Sequence, residues 1–260
     1  MTRVLITGAA GIVGSALWQG LRATHELRGI DRRRSSEPGI RRANVRRYRS
    51  IADAFEGVDA VVDLASGATT EIGWSQVLDD LGARTNVLEA ARRHGVPRYI
   101  FASSNHVIGL YERDEPYASI VAGAYEGLDP RAIPLLSEGV PLRPDSPYAV
   151  GKVAAEANAR YFAEEFGISS LCLRIGTVNR EDRPRNARHF ATLLSHADLV
   201  RLVECAIAAP PTLGHGVYYG VSANTWRFWD LTNARAEIGF EPHDDAERFR
   251  VAPAEGETGH

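Results

Sequence analysis

The sequence contains one lysine, one methionine and two cysteines among its 260 residues. The cysteines, Cys172 and Cys205, show neither the spacing of a metal site nor that of a disulfide framework. We therefore expect no metal centre, and we expect a reduced, cytoplasmic protein. No apolar run approaches the roughly 20 residues that span a bilayer. The N-terminus enters a strand at once, so we expect neither a membrane segment nor a signal peptide.

The chain also lacks an excess of positive charge, since its formal net charge is −3. Nucleic acids and anionic membrane surfaces select basic proteins, so we expect neither as a partner. Of the 30 lysine and arginine residues, all are arginine except Lys152. A lone lysine in an arginine-rich chain suggests that this position needs an ammonium group.

Short apolar runs alternate with helical patterns along most of the chain. The runs predict strands at Arg3–Thr7, Glu26–Ile30, Asp59–Ala65, Arg98–Ser103 and Ser170–Ile175. The patterns between them predict helices at Ile12–Thr24, Ile51–Phe55, Val77–His94 and Pro147–Phe166. This order predicts an α/β protein with a Rossmann-type doubly wound parallel sheet, covered by helices on both faces.

The pattern predicts an NAD-binding Rossmann domain over residues 1–175 and a small substrate-binding cap over residues 176–260. Within the cap we predict a helix near 195–209, a strand at 217–221, a helix near 229–238 and a disordered tail over the last ten residues. The segment 111–147 is too long for an ordinary connection, so we expect a lid or substrate loop there.

The stretch "GAAGIVG" places Gly8, Gly11 and Gly14 between the first strand and the first helix. Small residues let the backbone approach a pyrophosphate, whose charge is attracted by free N–H groups at the helix start. Asp31 ends the second strand, where a carboxylate can bind ribose hydroxyls and repel a 2′-phosphate. This favours NAD, although the following arginines leave NADP open.

Tyr148 and Lys152 are four residues apart at the start of a predicted helix, so they share one face. A tyrosine hydroxyl normally titrates near 10, and a neighbouring ammonium favours the phenolate that can act as a base. Ser103 and Ser104 lie at the carboxyl end of the strand "RYIFASS", where a hydroxyl can bind a reacting carbonyl. One of these serines, together with Tyr148 and Lys152, predicts a site for proton abstraction.

Together with the motifs "LAS", "FASSNH" and "YAVGK", the glycine turn resembles the extended short-chain dehydrogenase/reductases. The stretches "FASSNHVIGLY", "LRIGT" and "VYYGVSANTWRFWD" are most similar to uronate dehydrogenases and to related NAD-dependent aldose and sugar-phosphate dehydrogenases. This resemblance implies oxidation of the anomeric C1 hydroxyl of a sugar acid or sugar to an aldonolactone, in a homo-oligomer.

The resemblance also implies roles for individual residues. The catalytic residues would be Ser104, Tyr148 and Lys152. The substrate would contact Ser104, Asn105, His106, Thr177 and Arg188, the last through a substrate carboxylate. The cofactor would be bound by Gly8, Gly11, Ile12, Val13, Gly14, Asp31, Asn44, Val45, Leu64, Ala65, Ser66, Tyr148, Lys152 and Ile175.

The sequence departs from the family pattern at three positions. Asn44 replaces an aspartate near the adenine, and Asp80 replaces a helix asparagine that supports the active site. Ala68, next to Thr69, stands near the place of a substrate serine. Two other functions stay open, an NDP-sugar epimerase or dehydratase on the same scaffold and a non-catalytic NAD-binding sensor.

Overall fold

The computed structural model describes residues 1–66 and 71–250. Ala68, Thr69 and the predicted disordered tail lie outside the described residues. Within the described part, no helix is both long and apolar enough to cross a membrane.

Seven parallel strands form one sheet. They are β1 (Arg3–Thr7), β2 (Glu26–Asp31), β3 (Ile40–Arg42), β4 (Ala60–Asp63), β5 (Arg98–Ser104), β6 (Ser169–Ile175) and β7 (His215–Gly220). The spatial order is β3-β2-β1-β4-β5-β6-β7, so the winding reverses between β1 and β4. In open parallel sheets, ligands bind outside the carboxyl ends of the strands at such a reversal.

Seven α-helices occur in the described residues. They are α1 (Ile12–Leu21), α2 (Trp74–Arg93), α3 (Tyr117–Ala122), α4 (Pro147–Phe166), α5 (His189–Thr192), α6 (His196–Ala208) and α7 (Thr232–Ile238). Short 3₁₀ helices lie at Tyr48–Ser50, Ala52–Phe55, Asn105–Arg113 and Ala246–Phe249.

The sheet separates two apolar layers. On one face α1 packs against α6, and its Leu17 is buried with Leu202 and Trp229. On the other face α2 packs against α4, and Val87 is buried with Ala159. The strands are therefore covered on both sides, which explains why they appear in the sequence as nearly continuous apolar runs.

The predicted fold class is confirmed, with differences at several elements. The first helix ends at Leu21 rather than Thr24, and the predicted helix at 51–55 is a 3₁₀ helix. The short strand β3 was not predicted. The segment 111–147 contains α3, which buries Tyr117 and Ile120 against the core. Strand β7, from the predicted cap, completes the main sheet beside β6; the division at 175/176 stays a prediction.

Candidate active site

The glycine turn follows β1 and leads into α1. Gly8 has a φ of +70°, a conformation that favours glycine, and its N–H donates to the Ile30 carbonyl over 2.8 Å. A Cβ built at Gly14 would lie 2.3 Å from the Gly8 carbonyl oxygen. Side chains at these positions would push α1 away from the strand. The glycines therefore keep the start of α1 close to the sheet and open to a ligand.

Asp31 closes the end of β2 and is only 6% exposed. Its carboxylate accepts hydrogen bonds from the backbone N–H groups of Ala10 (3.0 Å) and Arg33 (2.8 Å). These bonds fix the carboxylate beside the glycine turn. Arg32 and Arg33 line the same crevice, so groups of both charges lie at the end of β2.

A crevice of about 690 Å³ runs along the carboxyl ends of the strands. All fourteen residues predicted to bind the cofactor line it, from the glycine turn to Ile175 at the end of β6. Four of the five predicted substrate residues line it too, namely Ser104, Asn105, His106 and Thr177. The structure therefore brings the predicted cofactor and catalytic residues into one continuous cleft.

Tyr148 occupies the first turn of α4, in a position that the preceding residues specify. Ser146 is the N-cap, its side chain accepting from the N–H of Ala149, and Pro147 fills the first helical position. Tyr148 and Ser104 both line the crevice, and Ser104 acts to lower the pKa of the phenol, against the larger effect of burial. A phenol and a serine hydroxyl therefore face the same part of the crevice, as a reacting C–OH group requires.

Lys152 lies one turn further along α4 and is 6% exposed. Its Nζ donates to the Ala102 carbonyl over 2.6 Å and lies 4.8 Å from the centre of the Phe101 ring. Burial lowers the pKa of Lys152 to about 7, and the nearby Arg84 acts in the same direction. Lys152 is thus a buried amine that can exchange its proton near neutral pH.

The expected activation of the phenol by the ammonium is not the dominant effect in this structure. The pKa of Tyr148 is raised, because burial outweighs the hydrogen bond from Ser104 and the charges of Asp80 and Asp145 act with burial. The Nζ of Lys152 lies 5.4 Å from the centre of the Tyr148 ring. The sequence shows the spacing of the pair but not the desolvation of both groups, and desolvation disfavours both charged forms.

Asn105 is 3% exposed and lines the crevice. Its amide Nδ2 is buried and has no hydrogen-bond partner among the residues that the structure describes. Buried polar groups are nearly always paired, so an unpaired amide in a crevice indicates a ligand that accepts a hydrogen bond.

His106 is oriented by the carboxylate of Asp145, a residue that was not predicted to belong to the site. Its Nδ1 lies 2.5 Å from Oδ2 of Asp145, and its ring meets the Tyr148 ring edge-on at 6.3 Å. Burial acts to raise the pKa of Asp145, but the contact with His106 lowers it overall, with help from Arg188. Asp145 lies three residues before Tyr148 in the sequence, and this proximity to the predicted base could have identified it as a site residue.

Thr177 follows β6, and its Oγ1 lies 2.8 Å from that of Thr192. Arg188 is the one predicted site residue that does not line the crevice described above. Its Nη1 reaches the Oγ1 of Thr177 at 3.4 Å, while its other nitrogens pair with Glu112. Arg188 therefore lies behind Thr177, at the edge of the cleft.

The profile of the family described as "NAD dependent epimerase/dehydratase family" matches residues 4–208 of this sequence. The chain belongs to the NAD dependent epimerase/dehydratase family. Uronate dehydrogenase from Pseudomonas putida is 34% identical over 257 residues, covering 96% of this chain and 87% of that protein. NAD-dependent glucose-6-phosphate dehydrogenase from Haloferax volcanii is 31% identical over 258 residues, covering 95% of each.

Solved structures agree with the sequence comparison. One is a crystal structure of uronate dehydrogenase from Agrobacterium tumefaciens, a tyrosine-to-alanine mutant complexed with NAD. It superimposes with a TM-score of 0.80 at 32% identity, covering 96% of this chain and 87% of that one.

The residues of this epimerase/dehydratase family member fit NAD. The turn leaves room only for glycine at Gly14, and the first N–H groups of α1 open onto the crevice. Asn44 and Val45 line the crevice, and the Val45 carbonyl accepts from Nδ2 of Asn86 over 3.0 Å. Asn86 was not predicted as a site residue, because its hydrogen bond to Val45 depends on how α2 packs against the sheet.

Asp80, the departure from the family pattern on α2, forms an ion pair across the cleft. Its Oδ1 lies 3.1 Å from Nη2 of Arg46, whose Nη1 contacts Asp79 at 2.9 Å. Asp80 and Arg46 both line the crevice. The carboxylate thus replaces a neutral amide with a negative charge near Tyr148, and that charge raises the pKa of the phenol.

A buried polar network lies beneath this family's cofactor turn. Asp63, at the end of β4, accepts hydrogen bonds from Thr7 Oγ1 (2.5 Å) and the Tyr99 hydroxyl (2.8 Å). The Nε of Arg84 lies 3.0 Å from Asp63, and both side chains are at most 3% exposed. The arginine supplies the counterion that a buried carboxylate needs. It also places a fixed positive charge near Lys152.

Proposed function

We propose that this chain is an NAD-dependent dehydrogenase that oxidises the anomeric C1 hydroxyl of a hexuronic acid, or of a related aldose, to an aldonolactone. One observation carries the proposal: Tyr148, Ser104 and Lys152 line the same cleft as the glycine turn and Asp31. The likeness to uronate dehydrogenases over nearly the full chain supports the choice of substrate class.

In this mechanism Tyr148 takes the proton of the C1 hydroxyl, and Ser104 donates a hydrogen bond to the same oxygen. Bound NAD supplies the acceptor for the hydride that leaves C1. The C1–O bond thereby becomes the carbonyl of the lactone, and one proton is left on the tyrosine. Lys152 lies one turn further along α4, with its Nζ 5.4 Å from the centre of the Tyr148 ring, and is the amine placed to assist the return of that proton to solvent.

The sugar ring is bound by Asn105, His106 and Thr177, which line the same crevice as Tyr148. Asn105 contributes its unpaired amide, and Asp145 fixes the orientation of the imidazole of His106. Arg188 lies next to Thr177 and serves the group at C6 of the sugar. Residues after position 176 thus provide one wall of the substrate site, consistent with the proposed cap.

A second candidate is an NAD-dependent sugar-phosphate dehydrogenase. The relative from Haloferax volcanii, a glucose-6-phosphate dehydrogenase, covers this chain as completely as the uronate enzymes do. A guanidinium binds a phosphate as well as a carboxylate, so Arg188 fits either substrate.

The purified protein should be incubated with NAD and, in turn, galacturonate, glucuronate, glucose 6-phosphate and neutral aldoses. We expect formation of NADH, followed by its absorbance, with hexuronates or with the related aldoses. An epimerase would retain its cofactor and release no NADH. Tyr148→Phe should abolish the signal, whereas Tyr161→Phe, on the exposed part of the same helix, should leave it unchanged. No NADH with any of these sugars would overturn the proposal.

We also propose a homo-oligomer and a cytoplasmic location. Trp74 and Leu78 on α2 and Tyr161 on α4 are large apolar side chains that are more than half exposed, as in subunit contacts. Cys172 and Cys205 are both free thiols, as in a reducing compartment. Sedimentation velocity of the wild type and of Leu78→Glu tests the assembly, and the variant should shift toward monomer.

A further inference from the structure

Arg188, the proposed partner of the C6 group, already binds a carboxylate of its own chain. Its Nε and Nη2 lie 2.6 Å and 2.7 Å from the two carboxylate oxygens of Glu112. The side chains are 24% and 15% exposed, so water screens the pair only weakly. Bidentate pairs of this kind are among the strongest polar contacts in proteins.

The elements on each side fix this pair at the edge of the cleft. Glu112 belongs to the 3₁₀ helix that follows β5, and Arg188 is the N-cap residue of α5. The remaining nitrogen of Arg188, Nη1, points to Thr177, which lines the crevice. Glu112 thus holds the guanidinium behind Thr177 rather than within the cleft.

Arg188 is already paired with a carboxylate of the chain. Glu112 and Asp145 are two carboxylates within the influence of Arg188, and the neighbouring basic side chains are His106, His189 and Arg185. A substrate carboxylate would be a third negative group beside the guanidinium of Arg188. To bind Arg188, the substrate carboxylate would either displace Glu112 from Nε and Nη2 or lie close to Glu112, where the two like charges repel each other. A neutral CH₂OH group neither needs to displace Glu112 nor is repelled by it.

We propose that Glu112 is a specificity-determining residue. Its carboxylate competes with the C6 carboxylate of a hexuronate for Arg188, and this competition shifts the preference of the enzyme toward the matching neutral aldose. The inference rests on the proposed function, because it assumes that the sugar places C6 next to Arg188.

The test is Glu112→Gln, which keeps the size of the side chain and one acceptor for Arg188 but removes the charge. Steady-state kinetics should be measured with two matched pairs, galacturonate against galactose and glucuronate against glucose, whose members differ at C6. We expect the uronate-to-aldose ratio of kcat/KM to rise about tenfold or more, since a nearby like charge is removed. The gain should come mainly from a lower KM for the uronate, with kcat little changed.

Asp114→Asn is the matched control. Asp114 lies two residues further along and also pairs with an arginine, Arg143, but this pair is exposed and has no contact with Thr177 among the described interactions. The control should leave the ratio at the wild-type value. Thermal unfolding of both variants shows whether the fold is intact.

The two proposals fail in different ways. A wild-type protein that oxidises none of the four sugars would overturn the proposed function. A wild type that oxidises them, with a ratio that is unchanged or lower in Glu112→Gln, would overturn only the role of Glu112. A lower ratio would mean that Glu112 positions Arg188 for the substrate instead of competing with it.

Discussion

Replacing Lys152 by methionine should make the protein more stable at low pH while removing its activity. Burial lowers the pKa of Lys152 from its usual value near 10.5 to about 7. The folded state therefore binds fewer protons than the unfolded state between these two values, and the free energy of unfolding rises with pH through that window. The full cost of the buried charge is present below the folded pKa, and it disappears above the unfolded one.

The two pKa values give the size of the effect. Burial of Lys152 destabilises the folded state by about 5 kcal/mol near pH 6 and by about 2 kcal/mol near pH 9. Methionine carries no charge at either pH, and the other titrating groups are shared by both proteins. The stability difference between Lys152→Met and the wild type should therefore shrink by about 3 kcal/mol from about pH 6 to about pH 9.

Urea-induced unfolding at several pH values, without NAD, measures this difference. Arg160→Met is the control, because Arg160 is an exposed cation on the same helix, paired with Glu164 at 2.8 Å. The free energy of unfolding of Arg160→Met should differ from that of the wild type by the same amount at each pH. The reasoning would be refuted if the curves of Lys152→Met and the wild type ran parallel across the range. We also expect Lys152→Met to lower kcat by about 10²-fold or more, as for the loss of a proton-transfer group.

Other perturbations test the remaining parts of the site. Tyr148→Phe should lower kcat by about 10²- to 10⁴-fold; thermal unfolding and NAD titration should show that its fold and NAD binding are intact. Because burial raises the pKa of Tyr148, kcat/KM of the wild type should increase from about pH 7 to about pH 9, and a decrease over that range would argue against a tyrosine base. Asp31→Asn removes the charge that repels a 2′-phosphate beside two arginines, so the NADP-to-NAD ratio of kcat/KM should rise about tenfold; a constant ratio would assign cofactor choice elsewhere. Arg84→Met leaves the buried carboxylate of Asp63 without its counterion and should cost about 3 kcal/mol in urea unfolding, most of which Asp63→Asn in the same chain should restore.

Much of the fold could be predicted because the signals are local. Helix α4 begins and ends where the sequence predicts, since Ser146 caps its start and Gly167, with a φ of 70°, ends it. The buried strands appear as apolar runs because helices cover both faces of the sheet. Strand β3 was missed because it has only three residues, two of them exposed arginines. Helix α3 has six residues and no side-chain cap, so it left little signal in the sequence.

The candidate site also has some features that the sequence predicts and others that depend on how separate elements pack. The glycine turn and the spacing of Tyr148 and Lys152 are short-range patterns, and the structure places all of these residues in one cleft. The pair formed by Glu112 and Arg188 joins positions 76 residues apart in the chain. Such a pair follows from the packing of two separate elements, which residue spacing does not reveal. Desolvation of the phenol and the amine is likewise a property of the surrounding fold.

During synthesis, β1 to β6 leave the ribosome before β7. Until His215–Gly220 emerge, the outer edge of β6 presents unpaired N–H and C=O groups, which in other proteins recruit foreign strands. A nascent chain of this protein therefore carries a reactive edge until most of its length has been translated. We therefore expect a protein truncated before residue 215 to expose the edge of β6 and to aggregate.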